Sequence, residues 1–270
     1  MLKKEFKRKD VERMRNLITG NIGSSSETQI GYKKKRIEYK EGDIWLEKGK
    51  KWLLSQNYVS QDEVVLYKLQ GNKWVSFKTG DTFNFYTRDV DSRAFSFEFR
   101  VEDEVIYFLR YRGAPTQVKL TITDPMQFFI KETKTIYGWG IFFGLIFAMF
   151  TYNFFIFLST KSLSYFYYSA YVLCFGLFFS GWFGFNQWVI FRDVSWFNNN
   201  TSLTLFAGLS EVFLCLFTIS FLDLQKNNKI LYKIMLFFTG VSSLIVISSF
   251  ILPYSVNVKL FSVNVFLLFP

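Results

Sequence analysis

The sequence predicts a β-sandwich (jelly-roll-like) domain followed by an α-helical transmembrane bundle with four full spans and part of a fifth. Short runs typical of strands occupy residues 62–123, and long uncharged runs follow them. The charges are divided in the same way. Of the 22 acidic residues, only Asp193, Glu211 and Asp223 follow residue 135.

The first segment, residues 1–43, is basic and resembles a linker. It begins with MLKKEFKRKDVERMR, continues through GNIGSSSETQ and includes the charge run KKKR. No apolar stretch follows the basic start, so it is not a secretory signal. We expect the segment to be disordered or non-native, with a leader encoded upstream. Nucleic-acid binding is disfavoured, because basic residues alternate with acidic ones and no recognised motif accompanies them.

Residues 44–130 are predicted to form the sandwich. In RAFSFEFRV, at 93–101, Phe95, Phe97 and Phe99 point to one face and polar residues to the other. Four more β-rich runs are EVVLYKL, KWVSFK, EVIYFLRYR and QVKLTIT. Five closely spaced runs separated by turn residues are typical of an antiparallel sandwich.

Residues 131–270 are predicted to form the membrane domain. Four runs are each long enough to cross about 30 Å of hydrocarbon at about 1.5 Å per helical residue. They lie at about 136–158, 164–185, 201–222 and 230–252. A fifth run, 260–270, is too short to span, so we expect the chain to be a fragment of a longer protein. Charge alone does not set the orientation, because basic residues are nearly balanced on the two sides.

Small and polar residues inside the spans are candidates for helix packing or signalling. Gly140 and Gly144 share one helix face with Ala148, where another backbone could approach closely. Glu211 lies on a stripe of small and polar residues and should face protein or water instead of lipid. Three interpretations of this carboxyl remain open: a protonated acid bonded to a neighbouring helix, an ion or proton pathway, and a switch contact.

The composition disfavours enzymatic chemistry. There is no histidine, and Cys174 and Cys215 both lie within apolar runs. A histidine base, a disulfide framework and a thiolate metal site are therefore not indicated. We predict that the chain is not an enzyme and has no catalytic, metal-binding or cofactor-binding residues.

The order of parts resembles the bacterial seven-transmembrane receptors with diverse intracellular signalling modules. After TITDPMQFF comes GWGIFFGLIFAMFTYNFFIFLSTKSLSYFYYSAYVL. In that family the first span begins with spaced glycines and closes on a Tyr-Asn pair, and a tyrosine-rich start of the second span follows. The matching residues here are Gly138, Gly140, Gly144, Tyr152, Asn153, Tyr165, Tyr167, Tyr168 and Tyr171.

The preceding segment, 62–101, resembles the type 2 extracellular domain of the same family. The similarity rests on Leu66-Tyr67, on the turn Thr79-Gly80-Asp81, on Arg88 and on the alternating phenylalanines. It implies that residues 44–130 are an extracytoplasmic sensor domain, lacking part of its first strands, that binds small molecules such as carbohydrates. It also implies that the helices relay occupancy to a cytoplasmic output module. The family's modules are histidine kinases, cyclases or phosphatases, and none is present in this chain.

The resemblance places the protein in the bacterial inner membrane as a multi-pass protein, with the lipid bilayer and a small ligand as partners. Weak candidates for ligand contact are Trp74, Tyr86, Arg88 and Arg93, since aromatics stack on sugar rings and arginines bind anionic groups. Ordinary sandwich packing or surface charge pairing is the alternative for each. The competing hypothesis is a transporter or channel segment that uses Glu211 as an intramembrane ion or proton site.

Overall fold

The structure is a computed structural model that describes residues 49–56, 59, 61–70, 73–100, 107–112, 120–194, 197, 199–252 and 254–268. The basic segment predicted at 1–43 lies outside these residues.

Six strands form two antiparallel three-stranded sheets. The strands are β1 (Lys51–Gln56), β2 (Glu63–Gln70), β3 (Lys73–Thr79), β4 (Phe95–Arg100), β5 (Tyr107–Arg112) and β6 (Leu120–Thr123). Their orders are β4-β1-β6 and β3-β2-β5. The five predicted runs became β2 to β6. β1, with the sequence KWLLSQ, was missed because its last two residues, Ser55 and Gln56, are polar but buried, so the apolar alternation is absent.

Both sheets contribute to one apolar core. Val64 and Leu66 of β2 pack with Phe95 and Phe97 of β4, and each is at most 3% exposed. Full burial of one such side chain stabilises a fold by about 1.5–3 kcal/mol. The alternation in RAFSFEFRV thus points into the space between two sheets, and the sandwich prediction is confirmed.

Helices make up the second part of the chain. They are α1 (Pro125–Thr160), α2 (Leu163–Trp182), α3 (Asn199–Phe221), the short α4 (Leu224–Asn227), α5 (Lys229–Ser248) and α6 (Tyr254–Leu268). A π-helix, Asn186–Ile190, lies between α2 and α3. Within the described residues, α1, α2, α3 and α5 are long and apolar enough to cross a membrane, which confirms the four predicted spans.

α1 is longer than the predicted span. It begins directly after β6, where the Asp124 side chain accepts a hydrogen bond from the Met126 N–H at 2.9 Å and Pro125 occupies the first turn. Its 36 residues extend about 54 Å. Because this exceeds the hydrocarbon thickness, the first turns of α1 stand outside the membrane, beside the β domain.

α6 begins at Tyr254, six residues before the predicted start of the fifth span. The amide of Asn257 donates to the carbonyls of Ser248 and Leu252, at 3.2 and 3.1 Å, and so closes the turn from α5. Residues 254–259, which lie before the predicted fifth run, are therefore helical.

Short connections make successive membrane helices antiparallel. The turn between α1 and α2 is at Lys161, which has φ +56°. Since α1 leads away from the β domain, the ends at 160–163 and 221–229 lie together at the opposite end of the helices.

Candidate functional site at the junction of the β domain and the helices

Among the described residues, the connection from β3 to β4, residues 80–94, provides four side chains that bond to the helical part: Tyr86, Arg88, Asp91 and Arg93. Its first turn requires glycine, because Gly80 has φ +149° and a Cβ there would collide with the backbone of Asp62. The next residue, Asp81, is fully buried. A 3₁₀ turn at Phe85–Thr87 follows, and Arg88 ends it in an extended conformation. We use the name junction for this connection, for the residues of α1 and of 183–193 that it contacts, and for the neighbouring pair of Asp62 and Asn200.

Arg88 is the inner contact of the junction. Its guanidinium lies between the rings of Phe85 and Phe95, 4.6 Å from each centroid. One nitrogen donates to two backbone carbonyls of its own connection, at 2.8 and 2.9 Å, and the other donates to Gln187 Oε1 of the π-helix at 2.7 Å. Burial lowers the pKa of Arg88 to about 10, so the group stays charged at pH 7. A partly buried cation of the β domain is thus bonded to the helical domain.

Arg93 joins the β domain to two helices at once. Its Nε lies 2.6 Å from Glu132 Oε1 of α1, and its Nη2 donates to Oε2 of the same carboxylate at 3.3 Å. Its Nη1 donates to the carbonyl of Phe183, the residue that ends α2, at 3.2 Å. The chain then turns at Gly184, with φ +81°, where a Cβ would lie only 3.0 Å from Val59. The side chains of Arg93 and Glu132 are only 15% and 12% exposed, so little solvent reaches this ion pair.

The rim of the junction carries a second set of pairs. Asp91 accepts hydrogen bonds from Trp188 Nε1 at 2.8 Å and from Arg192 Nη2 at 2.7 Å. The bond from Arg192 holds the pKa of Asp91 below its ordinary value. Tyr86 donates its hydroxyl proton to Asp193 at 2.6 Å, and that bond raises the pKa of Tyr86. These pairs face water, so each adds little to stability on its own.

A buried polar cluster lies beside Arg88. Neither oxygen of Asp81 and no side-chain polar atom of Gln61 is hydrogen-bonded to a described residue, although both side chains are fully buried. Burial raises the pKa of the Asp81 carboxyl, an effect opposed by the charge of Arg88. Next to the cluster, Asn200 of α3 donates to Asp62 Oδ1 at 2.9 Å. The described residues contain no group of three or more acidic, cysteine or histidine side chains that could hold a metal.

Three of the four candidate ligand contacts converge on the junction. Tyr86, Arg88 and Arg93 each bond to the helical domain, through Asp193, Gln187 and Glu132 respectively. The fourth candidate, Trp74, has its side chain outside the part that the structure describes. A ligand role for these four residues stays a prediction.

The helical partners of these arginines were not identified from the sequence. Glu132 precedes the first predicted span, and Gln187 lies between the second and third predicted spans. A usable signal was present only for the partner of Tyr86: after residue 135 only three acidic residues occur, and one of them, Asp193, lies next to Arg192 between those two spans.

A second polar cluster lies within the helices. Asn264 of α6 donates to Glu211 Oε1 of α3 at 2.8 Å and to Ser242 Oγ of α5 at 3.0 Å. All three side chains are buried. Glu211 therefore faces protein, and its Oε2 has no partner among the described residues. Asn264 was overlooked because it falls in the run treated as a truncated span. Whether Glu211 packs, switches or conducts stays a prediction.

The remaining candidates lie along α1 and α2. Gly140 and Gly144 are exposed, and no described atom lies within 4 Å of a Cβ built on either. Tyr152 is also exposed, whereas Asn153, Tyr165 and Tyr168 line one groove at the end away from the β domain. The packing role of the glycines and of Tyr152 stays a prediction.

A β-sandwich joined to four membrane-length helices defines a multi-pass membrane protein that carries a folded domain beside the membrane. The family model described as 7TM diverse intracellular signalling matches residues 135–270, half of the chain, and the model described as 7TMR-DISM extracellular 2 matches residues 44–124. The chain belongs to this family of seven-transmembrane receptors with diverse intracellular signalling, and the resemblance noted from its motifs is confirmed. The β domain is the extracellular part. No curated protein and no solved structure matches the chain.

Proposed function

We propose that the protein is a non-enzymatic receptor of the bacterial cytoplasmic membrane whose β domain binds a small ligand, with carbohydrates as the first class to test. Family membership supports the receptor class. The relay reaches a cytoplasmic signalling module of the histidine kinase, cyclase or phosphatase type. Binding acts by population shift: the ligand favours one packing of the β domain on the helices, and the helices follow.

The junction supports the relay, because a single side chain of the β domain bonds to two helices. Arg93 pairs with Glu132 of α1 and donates to the end of α2. Arg88 adds a bond to the π-helix that leads into α3. A change in the connection at 80–94 therefore moves donors that three helical elements share, and this is the observation on which the proposed relay depends.

The alternative, an ion or proton pathway through Glu211, has less support. Its Oε1 is bonded to Asn264 and its carboxyl is only 4% exposed, which favours a contact between helices. Loss of an ion flux in liposomes on Glu211→Gln would support the pathway instead.

The test uses the full chain in lipid nanodiscs and amide hydrogen exchange. A panel of neutral and acidic mono- and disaccharides is added, and protection is followed separately in the β domain, at 128–134 of α1 and at 186–193. We expect a binding sugar to change exchange in all three regions. Arg93→Met should keep the change in the β domain and lose most of it in the other two.

Arg110→Met is the matched control. Arg110 pairs with Glu63 at 2.8 Å within the sandwich, so its loss removes an arginine–glutamate pair away from the helices. This variant should transmit normally. If no sugar alters exchange in the β domain, the carbohydrate proposal is wrong. If Arg93→Met transmits as well as the control, the relay does not pass through the junction.

A further inference from the structure

A groove of about 390 Å³ opens between α1, α2 and α3 at the end of the helices away from the β domain. Its walls are aromatic and hydroxyl-bearing, with one amide and no charged residue. The lining residues are Asn153, Ser162, Ser164, Tyr165, Tyr168, Phe217 and Phe221. The groove thus gathers Asn153 of the Tyr-Asn motif with Tyr165 and Tyr168 of the tyrosine-rich motif, which the proposed relay at the junction does not use.

Hydrogen-bonding groups in the groove remain open to a ligand. Ser162 precedes α2 at its N-cap position but forms no side-chain cap bond. The hydroxyls of Tyr165 and Tyr168 have no hydrogen-bond partner among the described residues. Asn153 donates to the Met149 carbonyl at 2.8 Å, and this bond uses only the nitrogen of its amide. Each of the three hydroxyls can donate one hydrogen bond, so together they can bind the acceptor oxygens of a ligand.

The charge around the groove is positive. Lys161, directly before Ser162, is exposed and forms no ion pair with a described residue. Asp223, the acid of the connection that follows α3, is already paired with Lys226 at 2.8 Å. Further lysines at this end are Lys229 and Lys233. An anionic group at the mouth of the groove therefore meets an available cation and no competing carboxylate.

The inner wall is apolar and continuous with the surface that faces lipid. Tyr168 and Phe217 lie 5.4 Å apart between ring centroids, and Phe217 stacks with Phe221 at 5.2 Å. Phe221 is 65% exposed at the last turn of α3. An apolar chain could enter the groove directly from the hydrocarbon and leave its polar end at the interface.

We propose that this groove binds an anionic phospholipid from the leaflet opposite the β domain. The phosphate lies beside Lys161 and Ser162 at the amino end of α2, where free backbone N–H groups favour an anion. An acyl chain lies along Phe217 and Phe221. Because the β domain is extracellular, this leaflet is the cytoplasmic one, which carries anionic lipids that attract lysines near the surface. The proposal does not depend on the ligand of the β domain.

Native mass spectrometry of the full chain, released from micelles containing equal phosphatidylglycerol and phosphatidylcholine, tests the proposal. We expect one phosphatidylglycerol to be retained in preference to phosphatidylcholine. Lys161→Gln should weaken retention about fivefold, which corresponds to about 1 kcal/mol for one lysine near an anionic surface. Lys229→Gln removes the same charge from the same end outside the groove and should change retention little.

A second variant tests the cavity independently of charge. Ser162→Phe breaks no cap bond and places a ring in the groove, so it should abolish the preference for phosphatidylglycerol. Unchanged thermal unfolding in lipid-free micelles shows that the variant is folded. Equal retention of both lipids by the unmodified chain overturns the proposal. It is equally overturned if Lys229→Gln weakens retention as much as Lys161→Gln.

Discussion

Replacement of Arg93 by methionine should weaken the junction by about 3 kcal/mol. The Nε to Oε1 distance to Glu132 is 2.6 Å, and the two side chains are only 15% and 12% exposed. Removal of one partner leaves the other charge buried without compensation, which costs about 3–5 kcal/mol. The lower end of this range applies because some water reaches the pair. Methionine keeps an apolar stem, so the loss reports mainly on charge.

Amide hydrogen exchange of the full chain in nanodiscs measures this weakening locally. A single unfolding free energy is not well defined for a multidomain membrane protein, whereas protection factors report the opening of one region. Amides at 128–134 and 93–97 should exchange about 100-fold faster in Arg93→Met, since each 1.4 kcal/mol is a factor of ten. Adding Glu132→Met should restore most of the protection, because no buried charge is then left unpaired.

The surface pair of Lys51 and Glu98 is the control. It has the same 2.6 Å separation, but its side chains are 48% and 41% exposed. The same pair of methionine substitutions there should give a coupling below about 1 kcal/mol. The reasoning is refuted if the effects at Arg93 and Glu132 add to within about 0.5 kcal/mol, which is the behaviour of independent sites.

Three further outcomes are expected. Because the pKa of Asp81 is raised, the native state binds more protons than the unfolded state between about pH 4, the ordinary carboxyl pKa, and the raised pKa. The β domain should therefore lose stability as the pH rises through this interval. Asp81→Asn should flatten this slope in denaturant titrations at several pH values. Gly80→Ala should cost at least about 2 kcal/mol, because backbone strain of about 1–2 kcal/mol adds to the collision. Gly49→Ala, at φ +78° in open space, should cost about 1 kcal/mol. Equal losses of amide protection in the β domain would contradict this. Asn264→Leu removes the donor to Glu211, at a cost of about 1–3 kcal/mol, and should lower the melting temperature in nanodiscs. An unchanged melting temperature would show that this hydrogen bond is dispensable.

The sequence alone determined those features that depend on local periodicity and on hydrophobicity. The alternation in RAFSFEFRV predicted that Phe95 and Phe97 point into the core, since side chains alternate along a strand, although Ser96 on the opposite face is buried as well. The uncharged runs fixed the four membrane helices, because lipid tolerates few charges over that length. The order of motifs was enough to indicate the family.

The tertiary structure decided which distant groups meet. Arg93 and Glu132 are 39 residues apart, and Glu211 and Asn264 are 53 apart. No local pattern encodes such pairs, because each depends on helix length, rotation and register. β1 and the early start of α6 also required tertiary contacts, since KWLLSQ pairs with β4 and β6, and Asn257 bonds back to α5. Periodicity reports which face of an element is buried, but only packing determines what that face touches.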